Sequence, residues 1–160
     1  MNYRSAVQSP SKTRSYILFP LLLCVLVSCA RASHEANLLE INQCRFTDED
    51  TLLVKTSGSP DKKSEGREAK RKSSLYNAGR TAKHLDLEFI TGYVIESGDG
   101  LIDVSFIRKE VASRFIKIVE AGTVIKNEFD KDDNCMIIFQ VRKQNLKKSV
   151  RDVSTYPDSK

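Results

Sequence analysis

Histidine is scarce in this chain: 160 residues contain only His34 and His84. Neither stands at a local chelating spacing from the other or from a cysteine, so the sequence gives a zinc site no support. No Cys-x-x-Cys and no Gly-x-Ser-x-Gly occurs, which removes the common redox motif and the nucleophile elbow. Long apolar runs are missing as well. The uncharged segment between Arg14 and Arg31 has an apolar part, residues 16–27, of only twelve residues, and Pro20 interrupts it. A bilayer span needs roughly 20 apolar residues, and proline breaks a helix interior. No permanent span is expected.

Two near-motifs fail on single missing residues. Asp130-Lys131-Asp132-Asp133-Asn134 opens like a calcium loop, but Cys135 stands where glycine must make the sharp turn and Val141 where a bidentate Glu is needed. Gly98-x-Gly100 opens like a phosphate-binding fingerprint, but Asp103 replaces its third glycine. Both read as turns. No catalytic set emerges, and no cofactor is expected.

What is present is an export signal. A basic leader with Arg4, Lys12 and Arg14 precedes an apolar run of the length of a secretory h-region, roughly 7–15 residues. Three endings compete. Ala30 and Ala32 offer the small residues that an ordinary signal peptidase wants. Leu26-Val27-Ser28-Cys29 resembles the bacterial lipobox, in which the closing cysteine is acylated and becomes the first mature residue. The third is an apolar leader with incidental cysteines. The lipobox is preferred, because Leu, Val, a small residue and Cys occupy its four places in order. Acyl chains contribute about 0.8 kcal/mol per buried methylene, and two or three chains hold a protein on a membrane where one does so only marginally.

Removing residues 1–28 changes the charge. Three of the 26 bases lie in the leader and all 21 acids lie after it, which leaves 23 bases and a net charge of +2. Global attraction to nucleic acid thereby loses most of its basis. With Cys24 removed and Cys29 acylated, Cys44 and Cys135 remain. They form a candidate disulfide in an oxidising compartment, or two independent buried thiols.

Residues 30–50 are mixed in polarity and read as a tether. Residues 51–56 form a β-prone run stopped by Ser57-Gly58-Ser59-Pro60. Residues 61–83 carry Lys62, Lys63, Arg67, Lys70, Arg71, Lys72, Arg80 and Lys83 against three acids. Beneath these charges Leu75, Ala78, Ala82 and Leu85 lie on one helix face, and the small Ala78, Gly79 and Ala82 would let that helix approach a sheet closely. The bases are either a solvated face or a patch for anionic partners. Residues 87–96 are rich in β-branched and aromatic residues and predict an inner strand, with Gly92 as a bulge or a close backbone approach. Ile107, Val111, Phe115 and Ile118 make one stripe of a helix over 105–121, with Gly122 as its left-handed cap. Residues 123–130 and 135–143 predict a hairpin, its second arm alternating cleanly. Residues 144–160 read as a polar tail that frays after Val150.

This order of elements resembles the lipoprotein-20-like domain of small bacterial lipoproteins, related to the N-terminal domain of the flagellar assembly protein FlgT. The likeness is strongest over 69–143, in SSLYNAGRTAKHLDLEFITGYVIESGD, RKEVASRFIKIVEAGTVIKNEFD and CMIIFQVRKQNLKK, with Gly122-Thr123-Val124 opening the penultimate strand. The basic insert at 61–72 departs from the pattern. The resemblance implies a non-enzymatic accessory or surface domain of the envelope and carries over no catalytic residue.

The expectation is therefore an α+β fold, two helices on a small, mostly antiparallel sheet in the order βαβαββ. A signal peptide spans 1–28, a tether 29–50, the domain 51–150 and a polar tail 151–160. The expected partners are a membrane, through lipid on Cys29 in an outer rather than an inner membrane, and an envelope protein. Neither nucleic acid nor a small-molecule substrate is expected. The alternative is an adhesin-like binder of acidic polymers or host matrix through the bases between Lys62 and Lys83.

Overall fold

A computed structural model describes residues 39–98 and 103–154. Strands β1 (Gln43–Phe46) and β2 (Thr51–Gly58) come first, then helices α1 (Arg67–Glu96) and α2 (Val104–Glu120). Strands β3 (Thr123–Phe129) and β4 (Cys135–Arg142) and helix α3 (Leu146–Ser154) follow. The four strands form one antiparallel sheet in the order β1-β2-β4-β3. The fold is α+β, with the order ββααββα instead of βαβαββ.

The period-2 alternation of β2 and β4 explains the layering. Leu52, Val54, Ile137, Phe139 and Val141 point to one face and join α1, α2 and α3 in the main core. Leu53 and Ile138 point the other way and pack with Leu39 in a small second cluster. Both β2 and β4 are thus buried on their two faces. Residues 39–50, read as tether, belong to the domain: Leu39 is buried, the Lys55 ammonium donates to its carbonyl at 3.0 Å, and β1 pairs with β2.

The largest departure is at 87–96, which is helix and not an inner strand. The buried stripe of α1 runs Ser74, Ala78, Ala82, Asp86, Ile90 and Val94 at unbroken intervals of four. Propensity for β structure at Phe89, Ile90 and Tyr93 yields to that period, since helix burial outweighs a weak local preference. The Thr91 hydroxyl donates back to the Leu87 carbonyl at 2.8 Å, which satisfies a polar group on the buried side of the helix. Gly92 is a helical residue, neither a bulge nor a close approach, since nothing lies within 4 Å of a Cβ there. Phe89 and Tyr93 instead meet Phe46 of β1, with ring centroids 5.6 and 5.3 Å away.

Helix α2 follows its expected stripe at Ile107, Val111 and Phe115, which are buried; the fourth buried position is Val119, and the expected Ile118 is only partly buried. Asp103 caps it, accepting from the Ser105 and Phe106 amides at 2.8 and 3.3 Å. The cap at its other end differs from expectation. Ala121 closes the helix with φ −77°, and Gly122 is not left-handed. Glycine is needed at 122 for space, because a Cβ there would stand 2.5 Å from the Phe139 ring.

The β3–β4 hairpin forms as expected, and its turn explains the false calcium signature. The Asp130 carboxylate accepts from the Asp132 and Asn134 amides, both at 2.9 Å, and from the Asn134 side chain at 2.8 Å. Residues read as a fraying tail form α3, whose Leu146, Val150 and Val153 are buried. Its start is held by Asp50, which accepts from the Asn145 amide at 2.7 Å.

Candidate functional site

Cys29 lies outside the described residues. Of the sequence-derived candidates, the eight bases fall into groups with different tasks. Arg67 and Arg71 of α1 reach the hairpin turn, 3.4 and 2.9 Å from the Asp133 carboxylate. The Arg71 guanidinium also lies over the Phe129 ring, 4.9 Å from its centroid. The Arg71 hydrogen bond, then the Arg67 bond, hold the Asp133 carboxyl below its usual range. Beside them the Ser74 hydroxyl lies 2.6 Å from the Asp133 carbonyl. These groups fasten the start of α1 to the turn, so Arg67 and Arg71 serve the fold.

Lys62 and Lys63 are exposed in the loop before α1, and Lys70 is exposed in its first turns. The remaining bases form a row. Lys72, Tyr76, Arg80 and His84 follow one another at intervals of four along the exposed ridge of α1. That spacing stacks side chains along one face over roughly 18 Å. Lys83 flanks Arg80, half-exposed. Tyr76 is 65 % exposed, a large aromatic face in water between two cations. Among the described residues, Lys72, Arg80 and Lys83 make no ion pair. Such a row can hold phosphate, sulfate or carboxylate groups by charge and pack a sugar or acyl segment on the ring. The aromatic in its middle is a residue the charge count passed over, although its spacing from Lys72 and Arg80 was visible.

The second feature is buried. Asp86 of α1 has no exposed surface, and neither carboxylate oxygen has a hydrogen-bond partner. Burial pushes its carboxyl up to about 8. The Cys44 thiol, on the side of β1 that faces the helices, is pushed up to about 12 by burial first and the Asp86 charge second. Neither group offers a nucleophile at neutral pH, because a thiolate is the reactive form. Sequence reasoning missed Asp86, since it falls between the expected helix stripe, which ends at Leu85, and the strand expected from residue 87.

Cys44 and Cys135 are both free, which corrects the candidate disulfide. Cys44 pairs with Val54, which pairs with Phe139, whereas Cys135 lies four residues further along β4 opposite Gly58. Two strand spacings and four residue rises place their backbones about 16 Å apart, far beyond disulfide reach. His84 sits on the exposed ridge, and no group of three or more metal-ligating side chains occurs among the described residues.

Comparison of the chain with protein-family models, characterised proteins and solved structures finds no match.

Proposed function

We propose that this protein is a non-enzymatic lipoprotein of the bacterial envelope, held through acylated Cys29 and acting by protein contacts. The observation that carries the reading is Leu26-Val27-Ser28-Cys29 behind a basic and apolar leader. The described domain supports it. Leu39, packed with Leu53 and Ile138, stands ten positions past Cys29, a length of chain that spans at most roughly 35 Å when fully extended. No helix of the described residues is long and apolar enough to cross a membrane. The proposal stands on the lipobox and not on the lipoprotein-20-like resemblance, whose strand at 87–96 is helical here. An outer-membrane location is part of the same proposal. Metabolic labelling with a palmitate analogue tests it: label enters the wild-type chain and is lost in Cys29→Ala, whereas equal labelling of both removes the anchor.

A second reading is favoured by the ridge of α1. In it the domain binds acidic polymers or host matrix through Lys72, Arg80 and Lys83 with Tyr76 between them. Its support is the exposure of that row and the absence of ion pairs to Lys72, Arg80 and Lys83 among the described residues. Retention on a heparin-like resin that falls with added salt is its mark. Equal retention of a Lys72→Gln/Arg80→Gln/Lys83→Gln variant would remove it.

A further inference from the structure

Strand β3 forms one edge of the sheet, and every residue from Thr123 to Glu128 is exposed. Val124 and Ile125 each keep about two fifths of their surface in water (40 % and 42 %). An edge strand leaves a row of backbone donors and acceptors open to another strand. The opposite edge, β1, has only four residues.

Two copies of β3 that pair antiparallel about a twofold axis must set one residue opposite its own copy. The side-chain alternation of a strand allows no half-step register, because that would turn the paired side chains to opposite faces. Centring on Lys126 sets two ammonium groups face to face, and centring on Glu128 sets two carboxylates so. Like charges directly opposite destabilise a sheet. Ile125 sits in the irregularity between Val124 and Lys126, where pairing with β4 shifts, so it cannot centre a regular ladder. Asn127 remains. With Asn127 opposite itself, Lys126 faces Glu128 of the second copy and Glu128 faces its Lys126. Both side chains lie on one face already, 2.8 Å apart within the strand and about half exposed.

We propose that β3 is a homodimerisation edge, pairing antiparallel with β3 of a second copy about Asn127 to make a continuous eight-stranded sheet. The interface is isologous, so it closes after two copies. Lysine on an edge and a bulge are devices that discourage indiscriminate strand addition. Here they leave one register open: Lys126 rejects registers that oppose it to itself, and the bulge ends pairing before Val124. This inference is independent of the lipid anchor.

Oxidative crosslinking of the full chain in envelopes tests it. Asn127→Cys places two thiols directly opposite, with Cβ atoms about 5 Å apart, and a disulfide-linked dimer is expected above the wild-type background. Lys126→Cys, whose copies are offset by two positions along the strand, is expected to yield little. Adding Lys126→Glu or Glu128→Lys to Asn127→Cys should each cut the covalent dimer roughly tenfold or more, since both cross-strand pairs become repulsive. Combining the two reversals in one chain, or mixing the two singly reversed chains, should restore it. These positions are exposed, and circular dichroism of each purified variant is the check that it folds. Asn127→Cys that crosslinks no better than wild type overturns the proposal. So does crosslinking that ignores the single reversals.

Discussion

Gly58 of β2 lies against the backbone of Ala78 in α1, so closely that a Cβ on Gly58 would approach the Ala78 amide nitrogen to 2.3 Å and the Ser74 carbonyl to 2.5 Å. Strand and helix touch main chain to main chain there. The small residues Ser74, Ala78 and Ala82 make the approach available along α1, and Gly58 completes it from the sheet. This contact seats the long helix that presents the basic ridge on one side and buries Asp86 on the other.

The first prediction concerns this contact. Gly58→Ala must push backbone and not a flexible side chain, and is expected to cost about 2–3 kcal/mol in urea unfolding. Gly79 is also helical but has nothing within 4 Å of a Cβ. Gly79→Ala is expected to stabilise by about 0.5–1 kcal/mol through helix propensity. A neutral Gly58→Ala would show that the two elements are held differently.

The second concerns Asp86, whose carboxyl is raised from 3.8 to about 8 in the folded chain. Between those values the native state binds more protons than the unfolded chain, so stability falls as pH rises. The slope from one such group is at most about 1.4 kcal/mol per pH unit. Asp86→Asn removes the titration. Its advantage over wild type is expected to widen from pH 4 to pH 8 and level off above. Parallel curves for the two proteins across that interval would contradict this account of the site.

The third concerns the clasp between α1 and the hairpin turn. Asp133 has a depressed pKa, held down by Arg71 first, so its contribution is present above about pH 4 and is lost as pH falls through the folded value. Arg71→Gln is expected to lower the Tm at pH 7. The difference from wild type should shrink as pH falls below 3.8 and through the lower folded-state value. An Arg71→Gln effect independent of pH would assign its loss to the Phe129 stacking alone.

The fourth concerns the exposed row. In the unacylated Cys29→Ala background, anionic liposomes are expected to retain the chain more than its Tyr76→Ala variant, and both more than Lys72→Gln/Arg80→Gln. The difference between the last variant and its Cys29→Ala parent should fade as salt shortens the Debye length from about 10 Å at 0.1 M to 3 Å at 1 M. Flotation in a density gradient reads this directly. Flotation unaffected by the two charge substitutions would make the row a solvated helix face.

Much of the sheet and of α2 could be read from periodicity. Cys135, Ile137, Phe139 and Val141 alternate as the buried face of β4, and Ile107, Val111 and Phe115 repeat as the stripe of α2. The α1 stripe was read through Leu75, Ala78, Ala82 and Leu85 and then dropped at Asp86, where a core position is filled by an acid. Continuing in fours through Ile90 and Val94 would have carried the helix to Glu96. Leu146, Val150 and Val153 held the same signal for α3 beneath its charges. Strand β1 gave little, because its apolar content is Cys44 and Phe46 alone, and its place is fixed by pairing with β2. The bases were visible as a cluster, but their division into Arg67 and Arg71 around Asp133 and an open row beyond depends on where the hairpin turn lies. No local pattern encodes a contact over some sixty residues of chain.

The central claim, a lipid on Cys29, is tested most directly by intact mass and N-terminal analysis of the chain purified from envelopes. The account predicts a blocked amino terminus at Cys29 and a mass raised by a diacylglyceryl group and an amide-linked acyl chain. An unmodified chain with a free terminus downstream of Cys29 would contradict it.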